Sequence, residues 1–198
     1  EALRQALEDQ DRGVQMAAID SLSRIGTEKA IETLMERIAN GEQELASHAA
    51  HSVQRFGNSI TNQVVRLSLN FNPHVRRLSA EVLGNIGDLS AVALLINLLK
   101  DEDIHVIKAS IEALGKLGDP AALEPVLPFL QSQDVQLREM TATALGDIGE
   151  SLAAEPLLTL LRDEKDTVRL AAVKALGKIS DPVAVEALIN SLNDGNLR

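Results

Sequence analysis

Leu, Ile, Val and Ala recur along this chain at intervals of three and four residues. Examples are Val92, Leu95, Ile96 and Leu99, then Leu123, Val126, Leu127 and Leu130, then Leu157, Leu158 and Leu161. That interval places the apolar side chains on one face of an α-helix. A second, longer rhythm overlies the first, clearest as Val168-Arg169-Leu170-Ala171-Ala172-Val173-Lys174-Ala175-Leu176-Gly177-Lys178-Ile179-Ser180-Asp181-Pro182. Its cognates run from Val75 to Asp88, Val106 to Pro120 and Leu137 to Glu150 and, in worn form, from Val14 to Thr27 and Leu45 to Asn58. The closing position is Gly26, Gly57, Gly87, Gly118, Gly149 and Ser180, at spacings of 31, 30, 31, 31 and 31. A fixed period of about 30 residues marks a stacked-repeat architecture.

Each unit predicts a helix, a short turn and a second helix. First helices are expected to begin at Asn72, Asp103, Asp134 and Asp166, whose side chains suit N-caps, with Pro73 at a first helical position. Asp119-Pro120 and Asp181-Pro182 repeat that signal for second helices, and the Gly that closes most first helices, such as Gly118 before Asp119, suits a left-handed helix end. The glycines otherwise read as helix punctuation. Pro125, Pro128 and Pro156 fall inside predicted second helices, which they should kink or start late. No single apolar face can bury itself, so the pairs must stack, and the small residues Ala80, Ala113, Ala144 and Ala175 permit close approach. The units run over about 11–41, 42–71, 72–102, 103–133, 134–163 and 164–194, after a partial unit at 1–10 and before the start of another at 195–198. The segment from Asn40 to Phe71 departs furthest from the pattern and is where a bend is expected. Neither end carries the atypical polar unit that closes such arrays, so the expectation is one continuous domain taken from a longer array.

The signature Val-Arg-x-x-Ala-x-x-Ala-Leu-Gly-x-Ile-Gly-Asp-Pro resembles the HEAT repeats called phycobilisome-lyase-like, over nearly the whole chain. The resemblance implies an all-α fold, a right-handed superhelical α-solenoid of about six helix pairs. It implies second helices lining a concave groove, and use as a protein-binding scaffold. Two enzyme families share the architecture. One comprises the phycobilin lyases, which attach linear tetrapyrroles to antenna proteins. The other, the deoxyhypusine hydroxylases, holds two irons through His-Glu pairs in first helices. The iron pair's His falls at His48, but Ala49 follows it, and Leu78-Ser79, Thr141 and Leu170-Ala171 occupy cognate columns. Without the carboxylates the iron reading fails.

Composition narrows the function. Apolar residues are 45% of the chain but aromatics only 2%, with no Trp or Tyr, so aliphatic side chains must build the core. The absence of cysteine removes disulfides, thiolate metal sites and Cys nucleophiles, and fits the cytoplasm. No apolar run approaches the roughly 18 residues of a membrane span. The formal charge of −10 opposes nucleic-acid binding.

The candidate chemistry is that of a surface. Glu32, Gln63, Glu124, Glu155 and Glu186 share a second-helix column, interrupted by Ala93, that forms an acidic ladder able to steer a basic partner. Beside it a column pair is apolar only in mid-array, as Leu94 and Leu98, Pro125 and Phe129, Pro156 and Leu160. The same columns hold Thr33 and Arg37 near the start and Ala187 and Ser191 near the end. Leu98, Phe129 and Leu160 are expected to pack between repeats, leaving Leu94, Pro125 and Pro156 as the stronger contact candidates. Arg76, Arg138 and Arg169, with Lys108 displaced by one, should pair with nearby carboxylates as a structural ladder. His48 and His51 share a helix without a third ligand at a recognisable spacing, while His74 and His105 lie one repeat apart, so no metal is expected. There is no phosphate-binding Gly-rich loop and no Ser/His/Asp motif. The expected function is a non-catalytic scaffold for a protein partner with a basic or mixed apolar surface, bound at Leu94, Pro125, Phe129, Pro156, Glu124, Glu155 and Glu186 without a cofactor. The alternative is a phycobilin lyase, or a lyase-associated chaperone subunit, holding a bilin.

Overall fold

A computed structural model describes residues 2–182. The first helices of successive repeats are α2 (Arg12–Ile25), α4 (Gln43–Val53), α6 (Pro73–Ile86), α8 (Ile104–Leu117), α10 (Val135–Ile148) and α12 (Asp166–Ile179). The second helices are α1 (Ala2–Ala6), α3 (Glu28–Asn40), α5 (Thr61–Leu67), α7 (Val92–Leu98), α9 (Leu123–Val126) and α11 (Ala154–Thr159). No strand occurs among the described residues, and the chain is an all-α solenoid. First helices stack on first helices, α6 on α8, α8 on α10 and α10 on α12, and one continuous aliphatic core runs beneath them. Leu83, Leu114, Leu145 and Leu176 occupy the same column and are buried. Each contributes roughly 1.5–3 kcal/mol by leaving water.

The caps follow the sequence closely. Asp11, Asn72, Asp103 and Asp134 each accept a hydrogen bond from a first-turn backbone N–H of their helix, at 2.8–3.0 Å. Asp166 does not cap. It is the first residue of α12, behind Lys165, and its carboxylate pairs with Arg169 instead. Asp119 accepts from Ala121, but what it heads is a 3-10 turn, Pro120–Ala122, before α9. Similar turns, Leu89–Ala91 and Ser151–Ala153, precede α7 and α11, so these second helices start late. Pro125 and Pro156 are each the third residue of a short helix, where a missing N–H costs little. Pro128 lies in the 3-10 segment Leu127–Gln131, and the chain breaks out of α-helical geometry there as expected. Ser180 closes α12 in the left-handed conformation at φ 55°, doing without the glycine used at the same column elsewhere.

Three further glycines are more than punctuation. A Cβ on Gly84, Gly115 or Gly146 would stand 2.6–2.8 Å from the Cα of Ala113, Ala144 or Ala175 respectively. Each stacked pair therefore meets backbone to backbone at one Gly-on-Ala point. Ala80 is not part of this column; Val82 is, and the glycine column of the preceding repeat reads Gln54. The joint between α4 and α6 holds a cleft of about 360 Å³ lined by Gln54, Val82, Ala50, His51, Arg77 and Asn85 among others. Beyond α4 the chain runs as a 3-10 segment, Gln54–Ile60, with non-helical geometry at Gly57.

Candidate functional site

The second-helix face brings the predicted columns together in a graded way. Glu32, Glu124 and Glu155 are exposed, Gln63 is half-buried, and Ala93 is exposed. None of these three carboxylates has an ion-pair partner among the described residues. Leu94, Pro125, Phe129 and Pro156 are half-buried, with Leu94 and Phe129 leaning on the core. Leu98 and Leu160 are buried, at 8% and 7% exposure, so they are packing residues, as expected. Phe129 is not buried with them and keeps part of its ring at the surface. Glu186, Ala187 and Ser191 lie outside the described residues. Carboxylates and part-exposed apolar groups are thus adjacent, one helical position apart, on α9 and α11.

Basic residues lie on the edge where second helices turn into the next first helix, and there they are spent on structure. Arg76 holds both carboxylate oxygens of Asp101, at 2.6 and 2.7 Å, and donates to the carbonyls of Asn70 and Phe71. Arg138 does the same with Asp163, at 2.7 and 2.9 Å, and with the carbonyls of Ser132 and Gln133. Their hydrogen bonds push the carboxyls of Asp101 and Asp163 below the usual range, against a smaller opposing effect of burial. Lys108 reaches across to Asp134 at 2.8 Å in the next repeat. This is the expected structural ladder, and a track of bidentate pairs has few donors left for phosphate.

The histidines are dispersed. His48 Nε2 is 2.8 Å from Asp20, and His51 is exposed. His74 spans the α4–α6 joint, its Nε2 3.2 Å from the Gln43 carbonyl and 3.4 Å from the Ser47 hydroxyl. Desolvation, and then the charge of Arg77 beside Nδ1, hold the imidazole below its ordinary pKa. No group of three or more His, Asp or Glu that could hold a metal occurs among the described residues.

Two features escaped the sequence reading. A hollow of about 540 Å³ opens between α1 and α3, lined by Arg4, Thr33, Arg37 and Asn40 among others. Arg37 stands in the column that holds Leu98, Phe129 and Leu160 later on, and that substitution was the available signal. Leu69 and Phe71 are exposed, Phe71 fully, in the turn before α6, where the next repeat carries Lys100 and Glu102.

HEAT repeats are matched over residues 1–54, 64–138 and 123–198. The chain belongs to the HEAT-repeat family. Among solved structures it is similar to the CpcE–CpcF complex of phycocyanin lyase from Nostoc sp. PCC7120, at TM-score 0.62 and 23% identity, covering 95% of this chain and 79% of that one. It is similar also to a designed armadillo repeat protein in complex with the peptide (KR)4, at TM-score 0.60 and 17% identity, covering 90% and 98%. An engineered protein aligns at TM-score 0.61 and 20% identity over 90% and 95%. These likenesses establish the solenoid fold. Among curated proteins none matches the chain.

Proposed function

We propose that this array is a non-catalytic scaffold that binds a protein segment along its second-helix face. The observation that carries the reading is the pairing of two kinds of surface on α9 and α11. Glu124 and Glu155 are exposed and unpaired among the described residues, while Pro125, Phe129 and Pro156 beside them, and Leu94 on α7, are half-buried apolar contacts. Solvated carboxylates attract basic side chains, and part-exposed apolar groups supply the contact energy that exposed charge pairs do not. Glu186 would extend the ladder by one repeat. HEAT and armadillo solenoids are typically protein-binding, and the similar designed protein holds a Lys/Arg peptide. No helix among the described residues is long and apolar enough to cross a membrane.

The test is to pan a phage-displayed library of random 16-residue peptides on the intact chain. Enriched peptides should interleave Lys or Arg with Leu, Ile or Phe. Leu94→Glu and Pro156→Glu should weaken them at least about thirtyfold with circular dichroism unchanged. Undiminished affinity in both variants would remove this face from the reading. The lyase alternative rests on the repeat resemblance alone; a bilin absorbance band co-purifying with the chain would favour it over the scaffold.

A further inference from the structure

The second-helix face changes its chemistry from one end to the other. In mid-array it is apolar and acidic. At its start, columns that hold Leu98, Phe129 and Leu160, or Met35, Ile96, Leu127 and Leu158, hold Arg37 and Arg4 instead, and Arg66 is the one later arginine in the second of them among the described residues. Both guanidinium groups face the 540 Å³ hollow between α1 and α3.

Their orientation is fixed by other contacts. Arg4 Nε donates to the Thr33 hydroxyl at 3.1 Å, and that hydroxyl donates onward to the Lys29 carbonyl at 2.8 Å. Both terminal nitrogens of Arg4 are left without an acceptor among the described residues. Arg37 spends one terminal nitrogen on the Leu7 carbonyl, at 3.0 Å, and on the Glu8 carboxylate, and keeps its Nε and its other terminal nitrogen free among those residues. Asn40 adds an amide at the rim. Glu8 and Glu36, also at the wall, offset the charge but not the geometry, since neither lies on Arg4. Guanidinium forks with open donors are built for a carboxylate, which they bind through paired hydrogen bonds.

We infer that this hollow receives an Asp or Glu side chain of the same partner segment whose apolar and basic residues occupy the mid-array. This rests on the proposed binding face. An acidic residue at one end and basic residues farther along allow the segment to lie in only one direction. Thr33 and Leu94 stand in one column two repeats apart, about 16–20 Å at ordinary helix-packing distances. An extended segment crosses that in about five or six residues.

The same peptide library supplies the test. Enriched sequences should carry Asp or Glu about five or six residues to one constant side of the first apolar residue. Fluorescence anisotropy on one enriched peptide and its Glu→Gln version should show about a tenfold loss. Arg4→Gln should lose as much, and on Arg4→Gln the Glu→Gln change should cost nothing further. Arg37→Lys keeps the charge but not the fork and should also weaken binding, without the fraying of α1 that a truncation risks. Peptides that bind through the mid-array and respond to Leu94→Glu but contain no placed acidic residue, or whose Glu→Gln loss is undiminished in Arg4→Gln, would overturn the inference and leave the scaffold reading intact. Loss of all enrichment would overturn both.

Discussion

The stack from α6 to α12 and the joint between α4 and α6 use the same 30-residue plan and reach different packing. In the stack, Gly84, Gly115 and Gly146 let backbones touch Ala113, Ala144 and Ala175. At the joint the two columns read Gln54 and Val82 in place of Gly and Ala, and both line a 360 Å³ cleft that extends to Glu112 and Lys116 of α8. Between α2 and α4 the columns read Ser23 and Ser52, an intermediate solution in which the Ser23 hydroxyl donates to the Ser52 carbonyl at 2.8 Å. The second repeat also lacks the arginine clamp, since Ala46 stands where Arg76 and Arg138 stand. The period of a repeat sequence sets how many units stack; one residue on each side of the contact sets how tightly.

The largest effect should come from breaking a clamp in the tight region. Arg138→Ala leaves Asp163 nearly buried, at 8% side-chain exposure, beside unsatisfied carbonyls, and should cost about 3 kcal/mol in urea unfolding. The exposed pair Lys178–Asp147, cut by Lys178→Ala, should cost less than about 1 kcal/mol in the same assay. Next, Ala144→Val should destabilise by about 2–3 kcal/mol, because its branched carbon meets the Gly115 backbone. The cognate change at the joint, Val82→Ala, should cost about 1 kcal/mol, the lower end for a buried truncation beside a hollow that already exists. Equal costs at the two sites would dissolve the comparison. By hydrogen exchange, amides of α4 and of residues 54–60 should open at lower free energy than those of α8 and α10.

Acid should act on both regions with the same sign and at different pH. Asp101 and Asp163 have lowered pKa values, so their contribution is complete above the ordinary carboxylate value of about 4 and disappears as pH falls through the lowered ones. His74 is also lowered, which means the unfolded chain takes its proton first. Stability should therefore slip as pH drops below about 6.5 and level off once the folded imidazole is protonated too. This is the smallest expected effect. Comparing His74→Asn with the parent across pH 7.5 to 5 isolates it, and a parent curve as flat as the variant's would show that the joint does not sense this proton.

Much of this was legible beforehand. Helix pairing, the Asn72, Asp103 and Asp134 caps, the late-starting second helices and the Arg–Asp ladder all follow from local spacing, and local spacing is what a single sequence displays; Asp166, expected as a fourth cap, lies inside its helix. Ala113, Ala144 and Ala175 are readable as close-approach residues, but in the sequence their partners Gly84, Gly115 and Gly146 look no different from the glycines that end helices. Those contacts join residues 29 apart, and no short-range pattern reveals which column meets which. The mid-array apolar band was visible, and its division into buried Leu98 and Leu160 and half-buried Phe129 depends on how each helix is rotated. The Arg4–Arg37 hollow needs two helices placed side by side before it exists at all.

A solenoid whose neighbouring units touch only each other behaves under tension as a row of springs in series. Most of the extension then falls on the softest spring. Pulled from its ends, this array should first lengthen where Gln54 and Val82 line the cleft between α4 and α6, while the glycine-seated coils beyond it still hold their length. The force at which the first step appears would report a single contact in the whole molecule.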